Sequence, residues 1–387
     1  MILRKNPRKT HIFQIIKQLY SLYVLQHIFR LIDFFEIIFI REIKPLILYL
    51  LFSITYKKMN FFSHIALPKD LIDISYLDLN MFIGSCFAEN IGNKFIENKF
   101  QVDLNPFGVL YNPESIAISI KRLMGNNLFD CEELFFHEGL YHSFSHHSAF
   151  SDPLQENCLQ KINERLTLST DNLKKTNRLF ITFGTAYAYR LVETGKVVAN
   201  CHKLPANLFT RMRLSVNQIV ETWEELLAGL FAMNMELKLV FSVSPVRYWQ
   251  DGVHENQLSK SILLLAIEEL RMRFPDEIVY FPAYELMLDE LRDYRFYAED
   301  LFHLSDMAIQ FIFERLVDTC MNEQTKQLMQ EVSRIQKSLK HRQFCPRNES
   351  NKQFISQTLL KMEQLNAKMP YLCFKNEIEE IKRCLRI

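Results

Sequence analysis

Residues 81–92 read Met-Phe-Ile-Gly-Ser-Cys-Phe-Ala-Glu-Asn-Ile-Gly and change from the pattern of a strand to that of a helix. The first three residues form an apolar run that predicts a buried strand, and the run ends at Gly84. From Phe87 onward apolar residues recur at helical spacing, with polar residues between them. A strand that turns at a glycine into a helix places Ser85 and Cys86 at the helix N-terminus.

Ser85 and Cys86 are therefore candidate nucleophiles. The first N–H groups of a helix have no intrahelical partner, and the helix dipole favours negative charge there. A hydroxyl or thiol at this position has an oxyanion site beside it. On this stretch alone, the favoured interpretation of Ser85 is a helix cap. Cys86 is expected to have a lowered thiol pKa if it is reactive, but cysteine also packs well in cores.

Strand and helix patterns alternate along the chain from residue 59. Five apolar runs predict strands, and Pro113, Ser215 and Gln257 mark the beginnings of three further predicted helices. The predicted strands are residues 81–83, 100–103, 179–183, 238–243 and 278–281. This alternation predicts an α/β fold with a five-stranded parallel sheet, whose chemistry lies in the loops after the strands.

The composition excludes several classes of protein. With 46 basic and 45 acidic residues, the chain of 387 residues has no basic excess that would indicate a nucleic-acid partner. Hydrophobic residues make up 48% of the chain, which is enough for a large core. The eight cysteines contain no Cys-x-x-Cys pair, which favours reduced thiols in a cytoplasmic protein over a structural zinc site or a disulfide framework.

The two ends of the chain differ from its middle. Residues 1–58 are basic and then apolar, and three interpretations stay open: a membrane-interface anchor, an added helical hairpin, or translated upstream sequence with the true start at Met59. The third is favoured, and membrane contact is expected only if this segment is real and anchors the protein. Residues 59–325 form the predicted α/β domain, and residues 326–387 are expected to be a helical extension without chemistry of its own.

The letters Gly84-Ser85-Cys86-Phe87-Ala88 resemble the signature after which the GSCFA family is named, and further motifs extend the resemblance over about residues 59–320. That family is similar to a branch of the SGNH (GDSL-type) hydrolases. The resemblance implies a flavodoxin-like three-layer α/β fold, and ester hydrolysis or acyl transfer without a cofactor or metal.

The resemblance also implies a catalytic pair. In SGNH-type enzymes a late Asp-x-x-His supplies the base and the acid that orients it, and Asp300 and His303 have that spacing. The alternative is a helix entry at which Asp300 or Ser305 acts as the cap. Relatives usually have proline after the histidine, where this chain has Leu304. In a Gly-Asp-Ser motif the nucleophile lies two residues after glycine, a position held here by Cys86, so spacing does not decide between Cys86 and Ser85.

Three loops are expected to provide oxyanion donors. Gly108 matches the second loop of the family, and Gly184 begins the third. There Gly-x-Asn is expected, but this chain has Ala186 in place of asparagine. Asn105, Asn200 or His202 are candidates for the missing donor. Alternatively, Asn105 lies in a simple turn, and residues 200–203 are a surface loop.

Two further clusters match the family and are expected to face substrate. Residues 145–148 include His147, and residues 247–257 include His254 and Asn256. The histidine spacing matches no metal-ligand pattern, so no metal is expected. The predicted function is hydrolysis of a carboxylic ester, with an acylated carbohydrate as a substrate suggested by analogy. The alternative function is a non-catalytic ligand-binding module on the same fold.

Overall fold

The computed structural model describes residues 17–26, 63–68, 71–340 and 349–385. Residues 1–63 and 64–387 form separate compact units. Most of the predicted N-terminal extension, residues 1–58, lies outside the described residues. Its described part, residues 17–26, is a helix with mainly exposed side chains.

The strands and helices of the second unit are numbered in chain order. The strands are β1 (Leu79–Gly84), β2 (Gln101–Leu104), β3 (Leu134–His137), β4 (Leu140–Ser143), β5 (Arg178–Phe183), β6 (Tyr187–Leu191), β7 (Val197–Val198), β8 (Phe209–Arg213), β9 (Lys238–Val243) and β10 (Ile278–Tyr280). The helices are α1 (Cys86–Glu97), α2 (Pro113–Gly125), α3 (Gln155–Lys175), α4 (Val216–Met233), α5 (Gly252–Arg273), α6 (Asp306–Cys320), α7 (Glu323–Lys340), α8 (Glu349–Lys368) and α9 (Lys375–Leu385). Shorter helical turns connect several of them.

Five strands form the central sheet, in the order β2-β1-β5-β9-β10. All four neighbouring pairs are parallel. Taken in chain order the central strands are arranged 2-1-3-4-5, which is the flavodoxin-like order. The prediction of an α/β fold with five parallel strands is confirmed. The switch in strand order lies at β1, so the carboxyl end of β1 opens at the position where such sheets bind ligands.

Helices cover both faces of the sheet because alternate residues along each strand point to opposite faces. Met81 and Ile83 of β1 pack in the cluster formed with α2, α3, α4 and α5. Phe82, between them, packs in the other cluster with Phe95 of α1, Phe313 of α6 and the C-terminal helices. The sheet is therefore buried on both sides, as its apolar strands require.

Two β-structures outside the central sheet were not predicted. A hairpin of β3 and β4 and an antiparallel sheet in the order β7-β6-β8 lie in the connections on either side of β5. Helix α3 was not predicted either. Its buried positions include Cys158, Ser169 and Thr170, so its inner face gives a weak hydrophobic signal.

A helix that crosses a bilayer needs about 20 mainly apolar residues. Among the described residues, no helix combines that length with that apolar character.

Candidate functional site

The turn between β1 and α1 is built around Gly84. Its φ of +151° is rarely adopted by residues with a side chain, and a Cβ there would overlap the carbonyl oxygen of Thr182 on β5. Ser85 follows in an extended conformation at the N-cap position of α1, but its side chain makes no capping hydrogen bond. The capping interpretation of Ser85 is therefore wrong with respect to its hydroxyl.

Ser85 and Asn105 present unpartnered polar atoms on the two sides of this turn. The Ser85 side chain is buried, with only 1% of the residue exposed, and its Oγ has no hydrogen-bond partner. Asn105, in the loop after β2, accepts the N–H of Gly84 with its Oδ1 at 3.0 Å. The Nδ2 of the same amide group is buried without a partner. Buried polar atoms are nearly always hydrogen-bonded, so two such atoms beside one peptide need an explanation.

The N–H groups of the two predicted oxyanion glycines are already used. Gly108 donates to the carbonyl of Asn105 at 2.8 Å, and Gly184 donates to the carbonyl of Tyr111 at 2.7 Å. Gly184 nevertheless lies beside the turn, since a Cβ on it would be 3.5 Å from the Cβ of Ser85. Gly108 packs against His147, which a Cβ there would overlap. The turn predicted at Asn105 is present, since the residue has a φ of +43°.

Ala186, which stands where asparagine was expected, is fully buried in the core cluster of α2 to α5. Its N–H donates to Ser259 Oγ at 2.8 Å. The third loop therefore contributes no polar side chain at this position. Of the donors considered from the sequence, the amide of Asn105 has a buried N–H group without a partner and is bonded directly to the peptide before Ser85.

Cys86 lies next to Ser85 in the first turn of α1 and is partly buried. Burial raises the pKa of its thiol, an effect that outweighs the backbone N–H of Phe87 and the nearby Lys260, which lower it. The expectation of a lowered thiol pKa at this helix N-terminus is thus wrong. The desolvation of a partly buried sulfur exceeds the stabilisation that the helix end provides.

Lys260 of α5 is a site residue that the sequence analysis missed. It is 1% exposed, and its Nζ donates to the carbonyl oxygens of Gly184 and Ser244, each at 2.6 Å. These carbonyls belong to the loops that follow β5 and β9. A signal for it exists in the sequence, because Lys260 is three and seven residues before Leu263 and Ile267, on the buried face of α5.

Asp300 and His303 form the predicted hydrogen bond in the loop before α6. His303 Nδ1 and Asp300 Oδ2 are 2.6 Å apart, and the N–H of His303 donates to Asp300 Oδ1 at 2.9 Å. The bond from His303 lowers the pKa of Asp300 to about 2. The two side chains are 47% and 38% exposed. Ser305, not Asp300, caps α6 by accepting the N–H of Ala308.

The five predicted substrate-binding residues lie in different environments. His147 is half-buried beside Gly108, and His254 is exposed in the first turn of α5. Asn256 is buried and holds the loop after β9 by accepting the N–H of Tyr248 at 3.0 Å. Asn200 accepts the N–H of His202 at 2.8 Å.

His202 is buried rather than part of a surface loop, which corrects the alternative interpretation of residues 200–203. Its Nε2 bonds to the carbonyl of Ser143 at 2.8 Å, and burial lowers its pKa to about 4. His146 is also buried, stacks on Phe107 and bonds to Ser143 Oγ at 3.0 Å. Burial lowers its pKa to about 3. These imidazoles are neutral structural groups that join two connections, since His146 follows β4 and His202 lies between β7 and β8, and both bond to Ser143.

A metal centre would require a group of three or more His, Cys, Asp or Glu side chains within reach of one ion. The parts of the chain that the structure describes contain no such group. The contacts at the Ser85 turn are instead those of a site made of a hydroxyl, amides and one buried ammonium or amine group.

Comparisons with known proteins bear on the middle and the C-terminal part of the chain. A sequence model of the GSCFA family matches residues 80–316. A second one, for the C-terminal domain of GSCFA domain proteins, matches residues 332–387. A search of curated proteins finds no match to the chain.

Proposed function

The chain belongs to the GSCFA family, and we propose that it is a hydrolase or acyltransferase of the SGNH type, acting on a carboxylic ester through an acyl-enzyme on Ser85. The observation that carries the proposal is the pair of unpartnered buried atoms at the turn after β1, Ser85 Oγ and Asn105 Nδ2. With no hydrogen bond to break, the hydroxyl can attack a substrate carbonyl and the amide N–H can donate to the oxyanion that forms. Five further buried side-chain atoms of the described residues also lack a partner, but these two lie at one turn, where Asn105 bonds the N–H of Gly84 and Ser85 begins α1.

In the proposed reaction the hydroxyl oxygen of Ser85 attacks the ester carbonyl carbon. The negative charge that forms on the carbonyl oxygen is stabilised by Asn105 Nδ2, which Oδ1 holds in place through its bond to Gly84. Since the N–H groups of Gly108 and Gly184 are already bonded, the side chain of Asn105 takes the role that the resemblance assigned to the loop glycines.

His303 is the proposed base, with Asp300 fixing its tautomer through the 2.6 Å bond. His303 accepts the Ser85 proton and delivers it to the departing alcohol as the ester C–O bond breaks. Water, or a second alcohol in acyl transfer, then attacks the acyl-enzyme and releases Ser85. Ser85 Oγ has no partner in this structure, so the proposal includes formation of its bond to His303 when substrate binds, as is common for catalytic contacts.

The proposed substrate is a small-molecule or carbohydrate ester. Exposed aromatic rings lie in the loops that follow β2 and β9. Tyr111 is 45% exposed and Trp249 is 45% exposed, and the carbonyl of Tyr111 bonds the N–H of Gly184 next to Ser85. Aromatic rings offer an apolar surface on which the flat face of an acylated sugar can pack.

A ligand-binding module without catalysis is the second candidate. The observation that favours it is the loss of donors in the third loop, where Ala186 is buried and the N–H of Gly184 is bonded to Tyr111. In that case the protein would bind an ester or its carboxylate product without turnover. The two candidates differ in whether Ser85 becomes covalently modified.

We expect a fluorophosphonate probe to label Ser85, because phosphonylation requires an activated serine beside oxyanion donors. Ser85→Ala should abolish labelling and lower ester turnover by about a thousandfold or more, and His303→Ala should cost nearly as much. Cys86→Ser, one residue away on the same turn, is the matched control and should retain most of the turnover. Mass spectrometry of the peptide around residue 85 measures the adduct.

Two different results would contradict the proposal. If Ser85→Ala retains turnover while alkylation of Cys86 removes it in step with labelling, then Cys86 is the nucleophile. If neither substitution changes hydrolysis of any ester tested and no adduct forms, the protein is better described as a binding module.

A further inference from the structure

Lys260 is the buried group at this site whose role is not explained by the proposed steps. Its Nζ lies between the loops after β5 and β9, bonded to the carbonyls of Gly184 and Ser244 at 2.6 Å each. Gly184 is in turn adjacent to Ser85, since a Cβ placed on it would lie 3.5 Å from the Cβ of Ser85. The lysine therefore joins two loops of the carboxyl edge directly beside the turn that carries Ser85 and Cys86.

The acceptors of Lys260 are neutral. In the described contacts it faces two main-chain carbonyls and the ring of Tyr284, whose centroid is 5.7 Å from Nζ, and it forms no ion pair with a carboxylate. A buried ammonium group without an anionic partner destabilises the folded protein, because the interior solvates its charge poorly. Holding two loops together needs only a neutral donor, so this contact alone does not account for a lysine.

We propose that Lys260 is a positioning residue that fixes the Gly184 and Ser244 loops and supplies positive charge to the N-terminus of α1, where it stabilises negative charge at residues 85 and 86. In this way it compensates for the side chain that Ala186 does not provide. The stabilisation of charge at Ser85 by Lys260 rests on the proposed function. The effect of Lys260 on the thiol pKa of Cys86 does not, because it is present whether or not the protein hydrolyses esters.

The groups that face Lys260 determine how its charge depends on pH. Cys86 approaches it from α1 and Tyr284 from the turn after β10, while the two loops contribute only the carbonyls of Gly184 and Ser244. Burial lowers the pKa of Lys260 to about 7, against a smaller raising effect of Cys86. Its charge is present below about pH 7 and is lost as the pH rises through that value.

The test compares Lys260→Gln, which keeps N–H donors for the carbonyls but has no charge, with Lys260→Arg, which keeps the charge. Lys94→Gln is the matched control, because it removes one charge from the opposite end of α1. Iodoacetamide alkylation of Cys86 is followed by peptide mass spectrometry between pH 6 and 7. We expect Lys260→Gln to slow alkylation about threefold or more, through a higher thiol pKa, and Lys260→Arg and Lys94→Gln to change it less than twofold.

Fluorophosphonate labelling of Ser85 provides the second readout. In the wild-type protein its rate should fall above about pH 7 as Lys260 loses its proton, and Lys260→Arg should remove that fall. If the probe labels no residue at any pH, the proposed function fails while the alkylation result still decides the role of Lys260. An unchanged alkylation profile in folded Lys260→Gln would overturn the inference.

A third measurement observes Lys260 itself and so does not require a Lys260 variant to fold. Cys86→Asp places a carboxylate, which is ionised near pH 7, where the thiol stands, so it should raise the titration midpoint of Lys260. The ¹³Cε resonance of Lys260 in lysine-labelled protein reports that midpoint directly. An identical midpoint in the wild-type and Cys86→Asp proteins would contradict the proposed electrostatic contact between the N-terminus of α1 and Lys260.

Discussion

At the scale of single residues, burial decides which of two adjacent candidates is the better nucleophile. Cys86 is partly buried, and desolvation raises the pKa of its thiol, so little thiolate is present near neutral pH. Ser85 does not depend on its own ionisation, because a base removes its proton during attack. Burial therefore favours Ser85 over Cys86 as the nucleophile. The spacing from Gly84 does not decide between them.

The buried imidazoles predict an acid-sensitive fold. The pKa values of His146 and His202 are lowered to about 3 and about 4 by burial, below the ordinary histidine value of about 6.5. The unfolded chain therefore binds more protons between pH 6.5 and these values, and stability falls as the pH falls through that window. His146→Gln should remove about 2 kcal/mol of the stability difference between pH 7 and pH 4.5.

Urea unfolding at several pH values measures this effect. His254→Gln is the control, because it removes an exposed imidazole from the first turn of α5 and should leave the pH profile unchanged. Equal slopes of stability against pH for the wild-type protein and His146→Gln would show that His146 is not responsible.

At the scale of elements, the β1–α1 turn depends on one residue without a side chain. Gly84 pairs with Thr182 in the parallel register of β1 and β5, and its backbone comes so close to Thr182 that a methyl group would overlap the carbonyl oxygen there. The backbone of β5 cannot move away without disturbing β9, which pairs with its other side. The turn and the sheet therefore constrain each other.

Gly84→Ala should destabilise the protein by about 2 kcal/mol or more and disturb the position of Ser85. Gly139→Ala is the matched control, because Gly139 also has a positive φ, of 80°, but a Cβ there meets no atom within 4 Å. Both variants suffer backbone strain from the positive φ, but only Gly84→Ala adds an overlap with Thr182. The difference between their unfolding temperatures therefore measures the effect of the overlap. Equal destabilisation of the two would mean that the contact with Thr182 is unimportant.

The elements also show what could be predicted from sequence. Strands β1, β5 and β9 are mainly apolar because both of their faces are buried, whereas the edge strand β2 alternates polar and apolar residues. All five central strands were predicted within a few residues of their bounds. Helix α3 alternates Ile162, Leu166 and Leu173 with smaller or polar residues on its buried face, and β6 to β8 have mixed, partly exposed faces, so both have a weakened hydrophobic period. Long-range contacts, such as Lys260 with Gly184, leave no local pattern at all.

At the scale of the molecule, the C-terminal helices share the core of the α/β domain. Val332 of α7, Met362 of α8 and Phe374 before α9 are fully buried in the same cluster as Phe95 of α1 and Phe313 of α6. Lys99 after α1 forms an ion pair with Glu377 of α9 and lies 5.3 Å from the ring centroid of Phe374. These helices have no described part in the chemistry, but they complete one side of the fold.

Removal of residues 326–387 should therefore destabilise the protein, whereas removal of residues 1–58 should not. The first truncation exposes the partners of Val332, Met362 and Phe374, and each large apolar side chain contributes about 1.5–3 kcal/mol when buried. The loss of several such contacts, about 5 kcal/mol or more, is comparable to the whole stability of a typical domain. We expect an insoluble product or non-cooperative unfolding.

The second truncation leaves residues 59–387, which include the whole compact unit of residues 64–387, and so serves as the comparison. Expression from Met59 should give soluble protein that unfolds cooperatively and, if the proposed function holds, reacts with the fluorophosphonate at Ser85. Circular dichroism and thermal unfolding of both products make the measurement. If the chain beginning at Met59 is insoluble and the full chain is not, residues 1–58 contribute to folding. If the chain ending at residue 325 unfolds as cooperatively as the full chain, the C-terminal helices are a separate module.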